Sequence, residues 1–547
     1  MNRPRPILLL GAITAILAAG VVPLRAQTEA DRVAQAVDSG SYRAHLQFLS
    51  SDLLEGRGTA TRGGALAALY IATQFQRLGL LPMGDSGTYY QQVPIVALTP
   101  DPTLRTTAQG ERRYAYRDDY VLWSMRNDTV VSLSAEPVFV GYGIVAPEYQ
   151  WDDYAGIDAR GKIVICLVND PGLRDSTIFE GKVLTYYGRW TYKIEEAARH
   201  GAAGILMIHT TESATYPWST VTSSWTGEQV RLEQPPTSLL AAGWIRDSSA
   251  AVFFRDGGQD LEQLTNLAWT RKFKPVPLGL TINLTVRSAI RRSRTVNVIG
   301  RLRGRGPHAP EAIVIGGHYD HFGIRDAVNG DSIYNGALDN ASGTAAVIAL
   351  AEAFTRSGVR TGRSLIFTAF GAEESGLLGS QAMAEHPPLP LRELAAVLNL
   401  DEMNLFGRTR DISALGVNQS SLGITFTRAA KAEGLTVTEN PSAALRGSFF
   451  RSDHFPFAKA GVPSLSLEFG HDVIGRPAGW GAEQFDKYTA ERYHQPADEI
   501  LPWYTVSGAA QQMRVVARTA VAVGQAPSQP AWNRGSAFYA AGQKRLH

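Results

Sequence analysis

Ala312-Ile-Val-Ile-Gly-Gly-His-Tyr-Asp-His321 runs an apolar stretch straight into two glycines and then two histidines around an acid. An unbroken apolar run, rather than an alternating one, marks a strand covered on both faces. The pattern repeats downstream. Ser364-Leu-Ile-Phe-Thr-Ala369 opens into Phe370-Gly-Ala-Glu-Glu-Ser-Gly376, and Ala395-Ala-Val-Leu-Asn-Leu400 opens into Asp401-Glu-Met403. Pro463-Ser-Leu-Ser-Leu467 is a fourth buried-strand candidate, and Gly343 to Phe354 and Gly376 to Glu385 read as helices between them. Strands alternating with helices predict an α/β fold, a mostly parallel mixed sheet sandwiched by helices. In such sheets ligands bind beyond the carboxyl ends of the strands, where the acids and histidines gather here.

Upstream, Tyr42 to Leu81 reads as helical twice over, with Leu46, Leu49, Leu53 and Leu54 in one stretch and Ala65 to Leu78 in the next. From Val131 the texture changes to short β-type runs: Pro137-Val-Phe-Val-Gly-Tyr-Gly143, Lys162 to Val168 and Gly204 to His209, with a helical stretch at Tyr192 to His200. We therefore expect residues 27–135 to be the amino-terminal part of the main domain and 136–286 an inserted β-rich domain. Residues 287–525 would be the catalytic part and 526–547, rich in Pro, Ser and Gly, a surface tail. Cys166, the only cysteine, lies in an apolar β-branched run and is read as a buried strand residue.

Residues 1–26 read as an export signal: Arg3 and Arg5, then an uncharged apolar stretch from Ile7 to Val22, then Ala26 before Gln27. The stretch is short for the roughly 20 residues of a spanning helix, so a soluble periplasmic or secreted protein with no stable membrane insertion is expected. Loss of Arg3, Arg5 and Arg25 would take the formal charge from +2 to −1. With no basic run, nucleic acid is excluded as a partner. Ordinary apolar content and near-zero net charge exclude a disordered chain.

The loops after the strands, with Asn335-Gly-Ala-Leu-Asp-Asn-Ala-Ser-Gly343 and Tyr493-His-Gln-Pro-Ala-Asp498, offer two histidines and three carboxylates to a pair of divalent ions. Two dications against three carboxylates and a hydroxide come close to neutrality, whereas one ion would be over-charged. Imidazole and carboxylate without thiolate favour Zn²⁺, with Co²⁺ or Mn²⁺ as substitutes.

These motifs resemble the co-catalytic di-zinc exopeptidases of metallopeptidase family 28, which include bacterial aminopeptidases and glutamate carboxypeptidase II. The resemblance rests on His318-Tyr-Asp320, Asp339-Asn-Ala-Ser-Gly343, Glu373-Glu374, Asp401 and His494 in the family's order. Leu49-Ser-Ser-Asp-Leu-Leu-Glu-Gly-Arg57 is similar to the amino-terminal segment of bacterial members, and Val138 to Ile208 to their protease-associated (PA) insert. The resemblance implies a zinc exopeptidase-like fold and two Zn²⁺ per chain, one completed by His318 and Asp401, the other by Glu374 and His494, with Asp339 between them. It implies Glu373 as general base for a metal-bridged hydroxide and Asp320 as the acid that orients the His318 ring. A peptide is the implied substrate and aminopeptidase activity the leading reading. A carboxypeptidase or dipeptidase on the same centre is the alternative. A glutaminyl-cyclase-like transferase and a non-catalytic binding protein fit the full ligand set less well.

His471, His321 and His454 compete for ligand roles and read better as loop or supporting histidines. Arg451-Ser-Asp-His454 reads as a pocket wall or a loop-fixing stretch. His209, Trp218, Trp225 and Trp244 read as packing residues, with cover of the cleft as the competing role. No substrate-binding residue is assigned. The insert's position between the amino-terminal helices and the catalytic strands leads us to expect that it restricts access to short peptides.

Overall fold

The computed structural model of the protein describes residues 27–108, 110–233 and 239–547; the expected export signal at 1–26 lies outside them. No helix among the described residues is long and apolar enough to cross a membrane.

The four apolar runs form neighbouring strands of one mixed sheet. Ala312–His318 lies between Ser364–Phe370 and Leu394–Asn399 and is parallel to both, and Leu394–Asn399 is parallel to Ser464–Phe469. The three strands from Ala312, Ser364 and Leu394 are buried at every residue, which is why they carry no alternation. Antiparallel strands flank this parallel core: Thr281–Leu302 on one side and Asp411–Leu415 on the other. One face is covered by Ser342–Ser357, Ser507–Gln525 and the amino-terminal helices, whose Leu46, Leu49, Ile71 and Phe75 join the same core as Ile313 and Leu398. The other face is covered by Leu378–Glu385 and His454–Lys459 through Met383 and Phe457.

A second, six-stranded sheet is built on Pro137–Phe139, Ile163–Leu167, Gly204–His209 and Ala241–Arg246, all parallel. Cys166 is buried in it, and burial pushes its thiol up to about 12. This sheet does not keep to the expected 136–286 span. Tyr120–Ser124 is its edge strand, paired with Ala241–Arg246. The strand Thr281–Leu302 passes residue 286 without a break, antiparallel to Tyr90–Thr107 from Thr281↔Thr107 to Val298↔Tyr90. That two-stranded ribbon joins the cores: its Leu104, Ile282 and Leu284 pack with the second sheet, its Val298 with the first.

Residues 526–547 are not a surface tail. Trp532 and Phe538 are 4% and 2% exposed and pack with Phe449, Phe450 and Phe455, and Tyr539–Leu546 is helical. Buried aromatic area outweighs the cost of ordering a Pro- and Gly-containing segment here.

A candidate metal centre

The carboxyl ends of three of the central parallel strands deliver acids or a histidine to a single cluster. His318 is the last residue of its strand, Glu373 and Glu374 follow Ser364–Phe370, and Asp401 follows Leu394–Asn399. Asp339 lies in an irregular turn just before Ser342–Ser357, and Gly343 makes that position possible. A Cβ there would stand 2.1 Å from the Leu400 carbonyl, so only glycine lets the helix meet the strand end that carries Asp401. Asn340 ties the two loops, donating to the Leu400 carbonyl at 2.9 Å and accepting from the Gly343 and Glu402 N–H groups at 2.8 and 3.2 Å.

Asp339 is the centre of the arrangement. Its Oδ1 lies 3.2 Å from His318 Nε2 and its Oδ2 lies 3.2 Å from His494 Nε2. Asp401 Oδ1 stands 3.3 Å from the same His318 nitrogen, and Glu374 Oε2 stands 3.4 Å from the same His494 nitrogen. An oxygen of Glu373 lies within 4.8 Å of both a His318 ring nitrogen and a Glu374 oxygen. All seven residues singled out in the sequence are therefore brought together. For Asp320 the detail differs from the expected contact. The His318 Nδ1–H donates to the Asp320 backbone carbonyl at 3.1 Å, while the Asp320 carboxylate is 4.0 Å from that nitrogen. The carboxylate instead accepts the Glu373 N–H at 3.0 Å and the Thr59 hydroxyl at 2.9 Å.

Among the competing histidines, His321 stands nearest. Its Nδ1 donates to Glu374 Oε1 at 2.6 Å, and burial pushes it down to about 4, so it is neutral. His454 is buried edge-on to Phe449, and burial pushes it down to about 3. His471 packs against Phe469 and Phe485. In the Arg451–His454 stretch, Ser452 fixes the loop: its hydroxyl donates to Asp401 Oδ2 at 2.5 Å. Trp244 is fully buried in the second sheet's core. His209 and Trp218 line a separate polar cavity of about 780 Å³ in the second-sheet domain.

Several supporting residues had no role assigned from sequence. Arg57, fully buried, donates to the carbonyls of Tyr319, Leu49, Asn335 and Gly336 at 2.7, 2.5, 2.5 and 2.9 Å. It thus pins the loops of His318 and Asp339 to the amino-terminal helix. Asp498, also fully buried, accepts the N–H groups of Leu338 and Asp339 at 3.0 Å each and couples the Asp339 turn to the His494 loop. Its place four residues after His494 was the available signal.

The donor set fits divalent cations. Burial and the neighbouring Asp339 push Glu374 up to about 8, and burial with Glu374 close by holds Glu373 well above the usual carboxylate range. Half-buried Glu402 is raised as well, by burial and by Asp339, Asp401, Asp498 and Glu468, all acidic. Carboxylates packed this closely give up their charges unless cations enter among them. Three of them with imidazole nitrogens, no thiolate and Asp339 facing both histidines form a hard-to-borderline set for two ions side by side. Asp339, His318 and Asp401 could hold one, and Asp339, Glu374 and His494 the other.

Residues 297–519 match the family described as Peptidase family M28. Two similar proteins are an aminopeptidase of Bacillus subtilis, YwaD, and leupeptin-inactivating enzyme 1 of Streptomyces exfoliatus. They are 27% identical over 213 residues and 30% identical over 178 residues. The matches take in 37% and 31% of this chain but only 39% and 38% of those proteins. An aminopeptidase from Aneurinibacillus sp. strain AM-1 aligns with a TM-score of 0.45 at 18% identity, covering 91% of this chain and 97% of that one.

Proposed function

We propose that the protein is an exported di-zinc exopeptidase that removes amino-terminal residues from peptides. The observation that carries this reading is Asp339 set between His318 and His494 at 3.2 Å each, with Asp401 and Glu374 outside them and Glu373 alongside. Two zinc ions, when bound, would supply Lewis acidity that lowers the pKa of a water and polarises the scissile carbonyl. The protein's own part comes from its side chains. Glu373 is not a member of either ligand set and takes a proton from the attacking water, then returns it to the departing amine. Asp320, by accepting the Glu373 N–H, fixes where that carboxylate starts. Asp498 and Arg57 hold the Asp339 turn and the His318 loop so that the donors stay pre-arranged.

The aminopeptidase reading, rather than the carboxypeptidase one, takes its support from the similar aminopeptidase YwaD of Bacillus subtilis. The second-sheet domain is read as the PA-like insert, and export rests on the pattern of residues 1–26. Hydrolysis of Leu-p-nitroanilide set beside an amino-blocked peptide tests the reading. Cleavage of the first alone supports it; cleavage of the blocked peptide alone transfers the function to a carboxypeptidase on the same centre.

A further inference from the structure

A cavity of about 1430 Å³ lies between the two sheet domains and reaches the candidate metal centre at Glu374, Ser375 and Gly376. Its far wall is aromatic. Trp123 and Trp225 stack with ring centroids 4.2 Å apart, and Trp190 meets Trp225 edge-on at 4.9 Å. Trp190 and Trp225 are half-buried, rimming the core of the second-sheet domain with one side left to the cavity. Charged groups around the same cavity are already engaged. Lys459 pairs with Glu195 at 2.8 Å, Glu228 with Arg291 at 2.6 Å, and Arg325 lies 4.0 Å over the Phe322 ring. Besides the Thr191 hydroxyl and Arg231 Nε, which have no hydrogen-bond partner, this wall offers indole surface.

From the continuity of this wall with the metal centre we infer that Trp123, Trp190 and Trp225 form a subsite for an aromatic or large apolar side chain on the leaving side of the substrate. The inference rests on the aminopeptidase reading above and adds a substrate class to it. The side is set by connectivity. The cavity opens at the residues directly after Glu373, the group that hands a proton to the departing amine, whereas Asp401 and its partner Ser452 do not line it. A second cavity of about 670 Å³, lined by Phe449, Phe450 and Glu468, is separate from it. Rings already locked against one another lose little freedom when a ligand ring joins them, and apolar walls with few polar groups are what binding clefts use. Binding energy gained there, away from the reacting bond, can be expressed in kcat/KM. The insert then acts as a selector of the residues on the carboxyl side of the scissile bond.

The test uses peptides Leu-Ala-Ala-Ala in which Phe replaces Ala at each position after the leucine, cleaved by the wild-type zinc-loaded protein and by Trp190→Ala and Trp190→Phe. The subsite predicts that one Phe position raises kcat/KM by about tenfold, that Trp190→Ala brings this ratio to about one, and that Trp190→Phe keeps most of it. Equal rates for every peptide in the wild type, or a Phe preference that survives Trp190→Ala, would overturn the subsite. Failure of the wild type to cleave any of the peptides, Leu-amide included, would instead strike the aminopeptidase reading. Thermal melts of the two variants check that a lost ratio does not come from a lost fold.

Discussion

The Thr59 hydroxyl donates to Asp320 Oδ2 over 2.9 Å, so a residue far outside the 297–519 match reaches the catalytic cluster. The other Asp320 oxygen takes the Glu373 N–H, which makes Thr59 a positioning residue acting through Asp320. Thr59→Val keeps the shape and removes the donor. Partners of this kind are worth about 10- to 100-fold, so kcat should fall by about tenfold with KM little changed, and Thr59→Ser should restore it. Steady-state kinetics on the three proteins checks this; equal kcat for wild type and Thr59→Val would contradict it.

Glu352 links the amino-terminal helix to the helix that follows Asp339. Its side chain is 7% exposed, and Ser41 and Arg77 both donate to it, with His45 Nε2 3.5 Å away. Burial opposes its charge, but His45, Ser41 and Arg77 prevail and hold its carboxyl down at about 2. A depressed carboxyl adds stability above its unfolded pKa and loses it as pH falls. Glu352→Gln should therefore cost about 1–3 kcal/mol at pH 7, allowing for the solvent screening of Arg77, and the gap to wild type should close between about pH 4.5 and 2. Urea unfolding across that range reads it directly, and a gap that stays constant with pH would contradict the assignment.

Trp532 anchors the carboxy-terminal segment, with its Nε1–H donating to the Gly461 carbonyl at 3.0 Å and its ring 5.1 Å from Phe538. Replacing it with alanine leaves a void and removes one of the two donors to that carbonyl, the other being Arg545 Nε at 3.0 Å, so Trp532→Ala should cost about 3–5 kcal/mol in denaturant unfolding. A cost below about 1 kcal/mol would mean that this segment does not contribute to the fold as its packing implies.

Much of the central sheet was legible because its three inner strands are buried on both faces and so are mostly apolar, without a polar–apolar alternation. The loops that carry the candidate donors stand out for a related reason: His318 ends such a strand, Glu373, Glu374 and Asp401 follow one, and Asp339 precedes a helix, whereas His494 lies just beyond the helix Trp480–Glu491. Tyr120–Ser124 was not recognised as part of the second sheet. It is five residues long, and its partner strand begins at Ala241, a pairing no local pattern records. Trp532 and Phe538 were hidden by the turn-forming residues around them, Pro527, Pro530 and Gly535, since composition does not report a distant aromatic cluster. Arg57 and Thr59 were missed in the same way. Their acceptors lie 262 and 261 residues along the chain, and only the folded loops show that a buried guanidinium and a hydroxyl brace the metal centre.

In the proposed function Asp339 would serve both zinc ions, and Glu373 would move the proton without being a ligand. The most direct measurement is zinc content per chain, made together with Leu-p-nitroanilide hydrolysis, on wild type and on Glu373→Gln. The account predicts about two zinc per chain in both proteins, with hydrolysis present in the wild type and reduced by about 10²–10⁴-fold in Glu373→Gln. One zinc or none in the wild type, or a Glu373→Gln variant that hydrolyses at the wild-type rate, would contradict it.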